Sequence, residues 1–222
     1  MVQKLEKIDY GKYYHIYNCG INACAIFKEN SNYEHFLRLY EKYIDTVADT
    51  FAWVLMGNHF HIFVRIKSKD EIGWYKDLKL SKNYNEDKFI VIQKDDESFN
   101  KGLKRPNPLK HFSHLFNAYA RYFNRKYQRH GALFERPFRR KKVVNINYFK
   151  NLVLYIHNNP VHHGYCDHPM EYAWSSYLTC VSLKPTKLKR DFVIAWFNDK
   201  SNFKDLHDIK IDLIGFEQWL GI

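Results

Sequence analysis

The chain has 222 residues, with 35 Lys and Arg against 24 Asp and Glu, a formal net charge of +11 and a pI near 9.3. A charge balance this basic points to a polyanionic partner, nucleic acid ahead of a membrane surface. The 45% hydrophobic and 18% aromatic content, with nine glycines and six prolines, excludes a disordered or collagen-like chain. No run nears the roughly 18 apolar residues of a membrane span, and the first ten residues hold no apolar leader segment. A cytoplasmic protein with no membrane partner is therefore expected. Cys19, Cys24, Cys166 and Cys180 form no C-x-x-C pair, so reduced thiols are expected rather than a zinc ribbon or a disulfide framework.

In chain order, Tyr13–Asn18 is β-branched and aromatic and reads as a first strand. Ser31 or Asn32 offers an N-cap for a helix in which Phe36, Leu37, Tyr40, Tyr43 and Ile44 recur at helical spacing, ending near Asp45. Phe51–Met56, the turn Gly57-Asn58 and the alternating His59–Ile66 predict two tightly joined antiparallel strands. Residues 68–107 are highly charged, carry an apolar segment at Phe89–Ile92 and end in Arg105-Pro106-Asn107-Pro108, the pattern of a long insertion. From Leu109 a second amphipathic helix runs through Phe112, Leu115, Phe116, Tyr119, Tyr122 and Phe123 towards Gly131. Val143–Val144 suggests a brief strand. Asn145 or Asn147 can cap a third helix, which Asn159-Pro160 should terminate. Short helices around Trp174, Tyr177, Trp196 and Phe197 complete the chain.

Three constellations carry chemistry. On a strand, His59 and His61 project from one face and Phe60 from the other, so the two imidazoles make half of a metal site; two solvated histidines are the plain alternative. Between Ala118 and Lys142, Arg121, Arg125, Lys126, Arg129, Arg136, Arg139, Arg140, Lys141 and Lys142 stand against Glu135 alone, a net +8. That concentration predicts phosphate-backbone binding, with Phe134 and Phe138 available to stack on bases or to pack. The third helix places Tyr148, Leu152, Tyr155 and Asn159 on one face, and spacing alone selects none of the 17 tyrosines as a nucleophile.

Taken in order, YHIYN, MGNHFHIFV, FNAYARYFNRKYQRHGALFERPFRRKKV and YIHNNPVHHG resemble the REP-associated tyrosine transposases, members of the single-tyrosine HUH superfamily. The resemblance spans about Tyr13 to Tyr177 apart from the insertion. It implies an α+β, ferredoxin-like antiparallel sheet with helices packed on one face, the insertion and C-terminal helices being additions. It further implies a transposase domain over residues 1–180 with a helical extension over 181–222. Under the resemblance His59 and His61 match the HUH pair, Tyr155 the nucleophile and Asn159 the polar residue completing the metal shell. The family's Asn-Arg-Gly after the first strand is Asn18-Cys19-Gly20 here. The implied cofactor is Mg²⁺ or Mn²⁺, and imidazole ligands favour Mn²⁺ or Zn²⁺, so Mn²⁺ meets both arguments.

The implied activity is cleavage and rejoining of single-stranded or hairpin DNA through a 5'-phosphotyrosine link, with Arg121, Arg125, Arg129, Arg136, Arg139, Arg140, Lys141 and Lys142 as DNA contacts. A monomer is favoured over a homodimer. The alternatives are a domesticated, catalytically silent nucleic-acid-binding regulator and a hydrolase using metal-bound water. His157, about 200° round the helix from Tyr155, is expected to be structural or DNA-facing rather than catalytic.

Overall fold

The computed structural model describes residues 5–76, 103–209 and 215. Its elements are β1 (Tyr13–Cys19), α1 (Asn30–Ile44), β2 (Ala48–Leu55), β3 (His59–Ile66), α2 (Lys69–Ile72), β4 (Tyr75–Lys76), β5 (Leu103–Lys104) and α3 (Pro108–Lys126), then β6 (Arg139–Val143), α4 (Ile146–His162), α5 (Tyr177–Val181), α6 (Arg190–Trp196) and α7 (Lys200–Asp208). The main sheet runs β2-β3-β1-β6, every neighbouring pair antiparallel. With α1 joining β1 to β2 and α3 leading from β3 to β6, this is the βαββαβ plan of a ferredoxin-like α+β fold. β4 and β5 pair with each other at the base of the expected insertion, whose apolar segment Phe89–Ile92 lies outside the described residues.

Alternation along the strands divides the core in two. Tyr14 and Ile16 of β1 and Phe60, Ile62 and Val64 of β3 meet Phe36 of α1 and Phe112, Leu115 and Tyr119 of α3. On the opposite face, Phe51 and Val54 of β2 and Phe63 of β3 meet Leu152, Val153 and Ile156 of α4, with Val193 of α6, Phe197 just beyond it and Phe203 of α7. Helices therefore cover both faces of the sheet, not one: α1 and α3 hold the expected side, and α4 with the C-terminal helices buries the other apolar surface.

Several expected boundaries shift for identifiable reasons. Helix α1 starts at Asn30, so neither Ser31 nor Asn32 is its cap. Asn32 is buried instead and accepts from the Lys28 N–H and the Tyr127 hydroxyl, tying the start of α1 to the end of α3. Asn107 caps α3 by accepting from the Lys110 N–H, with Pro108 in the first turn where its missing donor costs nothing. The same helix ends at Lys126 rather than near Gly131. The brief strand expected at Val143–Val144 is the longer β6, which leaves Val144 outside it and exposed on the surface.

The Asn159-Pro160 step does not stop α4. Pro160 removes only its own donor, and beyond it the His163, Gly164 and Tyr165 N–H groups bond the carbonyls of Asn159, Val161 and Pro160, so the last turn closes through His162.

A buried histidine chain docks the C-terminal helices. His207 Nδ1 lies 2.6 Å from the Phe203 carbonyl, which can only accept, so Nδ1 carries the proton. Its Nε2 then accepts from His157 Nδ1–H at 2.9 Å, and His157 Nε2 accepts from the Ser176 hydroxyl at 2.8 Å. Ser176 in turn accepts the Trp53 N–H of β2. His157 is thus a structural clamp, and its complete burial rules out the DNA-facing alternative.

Burial holds His157 well below the ordinary imidazole range and pushes His207 down to about 4. The unfolded chain binds protons below pH 6.5 that the folded chain refuses, so stability is complete above 6.5 and falls as the pH drops towards 4. For His207 alone the loss by pH 4 is about 3 kcal/mol, or roughly 6–12 °C in Tm. Thermal unfolding followed from pH 8 to 4 should show this decline, and a flat profile would contradict the neutral chain.

Candidate active site

The register of the central strands assembles the site. Tyr17 pairs with His61 and Cys19 with His59, so the odd-numbered residues of β1 share a face with the two histidines. Helix α4 lies over that face and contributes Tyr155 and Asn159, one turn apart. His59 Nε2 is 2.9 Å from Asn159 Oδ1, and the Tyr155 ring stands edge-on to His61 with centroids 5.2 Å apart. The four residues expected from the sequence therefore meet.

One residue that the sequence reading treated only as part of a strand joins them. His15 Nε2 lies 2.9 Å from His61 Nδ1, with the two rings nearly coplanar, and the His15 ring stacks on Tyr17. The signal was present in YHIYN as a histidine on the alternating face, but its meeting with His61 depends on the register between β1 and β3. Asn58 was likewise read only as a turn residue, and its Oδ1 sits 2.7 Å from His59 Nδ1.

All three imidazoles are held neutral. Burial pushes His15 down to about 3, helped by the nearby Lys141 cation. Burial also pushes His59 down to about 4, with His163 adding repulsion and the Asn159 contact opposing the shift. His61 is driven well below the ordinary range by burial and then by His15, His59 and His163. Cys19 is no thiolate: burial and Glu135 push it up to about 11.

Neutrality exposes a conflict at His59. A neutral imidazole has one N–H, yet both its nitrogens face amide oxygens, which only accept. With Nδ1–H donated to Asn58, the Nε2 lone pair points at the Asn159 oxygen. The Asn159 Nδ2 group is meanwhile buried without a partner. Turning the amide over removes the conflict in metal-free protein, its Nδ2–H donating to Nε2; with the oxygen inward, a cation would hold the two acceptors, whose 2.9 Å separation is close to the roughly 3 Å between adjacent ligands of an octahedral Mg²⁺ shell. Among the described residues no group of three or more His, Cys, Asp or Glu has a metal-binding arrangement, so such a centre needs the Asn159 amide. The donor set of two imidazoles and one amide oxygen fits Mn²⁺ or Mg²⁺.

Tyr155 is 1% exposed, enclosed by His61, His15 and the α4 core. Two clefts, of about 920 and 460 Å³, lie elsewhere: one beside β2 between Tyr40 and Lys189, the other between α3 and the 131–138 segment.

The expected DNA contacts separate in space. Helix α3 lies across the sheet from the histidines, with Arg121 and Arg125 exposed and Arg129 donating to Asn124. Arg136 is exposed in the segment between α3 and β6. Along β6, pairing with Tyr17 and His15 puts Arg139 and Lys141 on the histidine face. Arg140 and Lys142, opposite Ile16 and Tyr14, lie on the other face, where Arg140 donates to the Glu6 carbonyl and Lys142 pairs with Asp9. Phe134 and Phe138 pack in the core rather than standing free for bases.

The fold is similar to that of a solved REP-associated tyrosine transposase bound to a REP hairpin. The match has a TM-score of 0.53 and 14% identity, and covers 83% of this chain and 89% of that one. No protein-family model and no curated protein matches the sequence. No helix among the described residues is long and apolar enough to cross a membrane.

In metal-free protein, NMR titration should place the His59 imidazole near pH 4. Asn159→Leu should lower it further, because the amide oxygen favours the protonated ring. Titration near 6.5 in either protein would contradict the enclosed site.

Proposed function

We propose that the chain is a metal-dependent DNA strand transferase that cleaves and rejoins single-stranded or hairpin DNA. The observation that carries the reading is the convergence of His59, His61, Asn159 and Tyr155 under one helix, in a fold shared with a hairpin-bound transposase. His59, His61 and Asn159 would hold a divalent cation, which when bound would supply the charge that polarises the scissile phosphate and stabilises the leaving oxygen. The Tyr155 oxygen attacks phosphorus in line, its phenolic proton is released, and the bond from phosphorus to the 3'-oxygen breaks. That oxygen takes up a proton. The phosphotyrosine retains the energy of the broken diester, so rejoining needs no external source. The β6 cations Arg139 and Lys141 lie on the face where the phosphate would sit, and the α3 arginines hold the flanking backbone.

The enclosure of Tyr155 favours a second reading, a regulator that binds structured nucleic acid without cutting it. Labelled hairpin oligonucleotides incubated with Mn²⁺ and run under denaturing conditions separate the two. A covalent adduct is expected with the natural chain and absent in Tyr155→Phe or with chelator, hairpin affinity being retained. Binding without an adduct across many hairpins would overturn cleavage and leave the regulator; cleavage surviving in Tyr155→Phe would point to metal-bound water.

For the backbone contacts, replacing Arg121, Arg125 and Arg129 together by Ala should flatten the salt dependence of hairpin binding, by up to about 2.7 in the log–log slope. An unchanged slope would remove α3 from the interface.

A further inference from the structure

We propose that His15 is a positioning residue of the metal centre: it accepts the Nδ1 proton of His61 and thereby keeps the His61 Nε2 lone pair free to bind the cation. The inference rests on the reading of His59, His61 and Asn159 as that centre.

The argument is one of proton accounting. A single proton lies between His15 Nε2 and His61 Nδ1, 2.9 Å apart. If His15 donated it, His61 would have to carry its own proton on Nε2, and a protonated nitrogen cannot ligate a metal. If His61 donates, Nε2 is bare. Metal binding therefore selects the arrangement in which His15 accepts.

His15 is built for nothing else that the structure shows. It is fully buried, and its Nδ1 has no hydrogen-bond partner. An apolar residue would fill that space in the sheet without stranding a polar atom. The ring cannot easily turn away: it stacks on Tyr17 at 4.7 Å and 18°, lies nearly coplanar with His61 at 17° as the nitrogen–nitrogen contact requires, and has Tyr155 edge-on at 82°. Its position opposite Phe63 in the β1–β3 register sets it diagonally beside His61. Metal-bound histidines generally need such an acceptor on the second nitrogen to fix tautomer and ring orientation.

Mn²⁺ binding to the full chain, followed by loss of the free-ion EPR signal, tests the assignment through affinity rather than activity. His15→Phe should weaken binding about 10- to 100-fold, whereas His15→Gln, whose carbonyl can accept the same proton, should stay within about threefold of the natural chain. The metal-free His15→Phe protein should unfold no earlier than the natural one, since it removes a stranded nitrogen. His15→Phe binding Mn²⁺ at full affinity, or His15→Gln failing as badly as His15→Phe, would overturn the positioning role alone. A natural chain whose Mn²⁺ binding is indifferent to His59→Ala would overturn the centre itself, and the role of His15 with it. Should His15→Phe not fold, ¹H–¹⁵N spectra of the Mg²⁺-loaded natural protein read the tautomers directly. Protonated Nδ1 on His61 facing a bare Nε2 on His15 is expected, and the reverse refutes the proposal.

Discussion

Strand β3 places two imidazoles and three large apolar side chains on opposite sides of a ribbon only eight residues long. The rest of the molecule is arranged around that division. Phe60, Ile62 and Val64 draw α1 and α3 onto one side, as any amphipathic sheet would. The other side carries polar rings, and it too is buried. It can be covered only by an element that brings polar partners to the same level, and α4 does so with Asn159 above His59 and Tyr155 against His61. Burial then enforces neutrality on the histidines, which leaves each ring a nitrogen lone pair in place of a charge.

How much of this could be read in advance follows from the range of each interaction. The alternation of His59, Phe60 and His61 is local, and their faces were legible because period two needs no knowledge of neighbours. The joint placement of Tyr155 and Asn159 on one side of α4 was legible for the same reason. That α4 covers the histidines came from the family resemblance, not from spacing. His15 was not recognised, because its partner is 46 residues away and the contact depends on β1 lying beside β3 in a particular register. The end of α4 was misread for a different reason: a proline near a C-terminus removes one donor in a region where few carbonyls still need one, so the usual stop signal loses its force. The two-sided helical cover was missed because α4 and the C-terminal helices were read for their own periodicity and not for which sheet face they would meet.

Charge and enclosure pull the molecule in different directions. The basic residues that look continuous in sequence lie on both sides of the sheet, some already satisfied by Glu6, Asp9 and Glu135. The catalytic tyrosine candidate, by contrast, is among the least accessible side chains. A nucleic acid held by α3 would reach the histidine side by passing the β6 edge, where Arg139 and Lys141 face one way and Arg140 and Lys142 the other.

That edge has a second consequence. Among the described residues β6 is the outermost strand of the sheet, its border met only at the Lys142 N–H by the Glu6 carboxylate, and such a border is a template on which another chain can add. Two molecules meeting there in antiparallel fashion would bring RRKK against RRKK, four cations facing four across one strand spacing of about 4.8 Å. The same residues that would suit a polyanion thus oppose extension of the sheet into a second copy along this border.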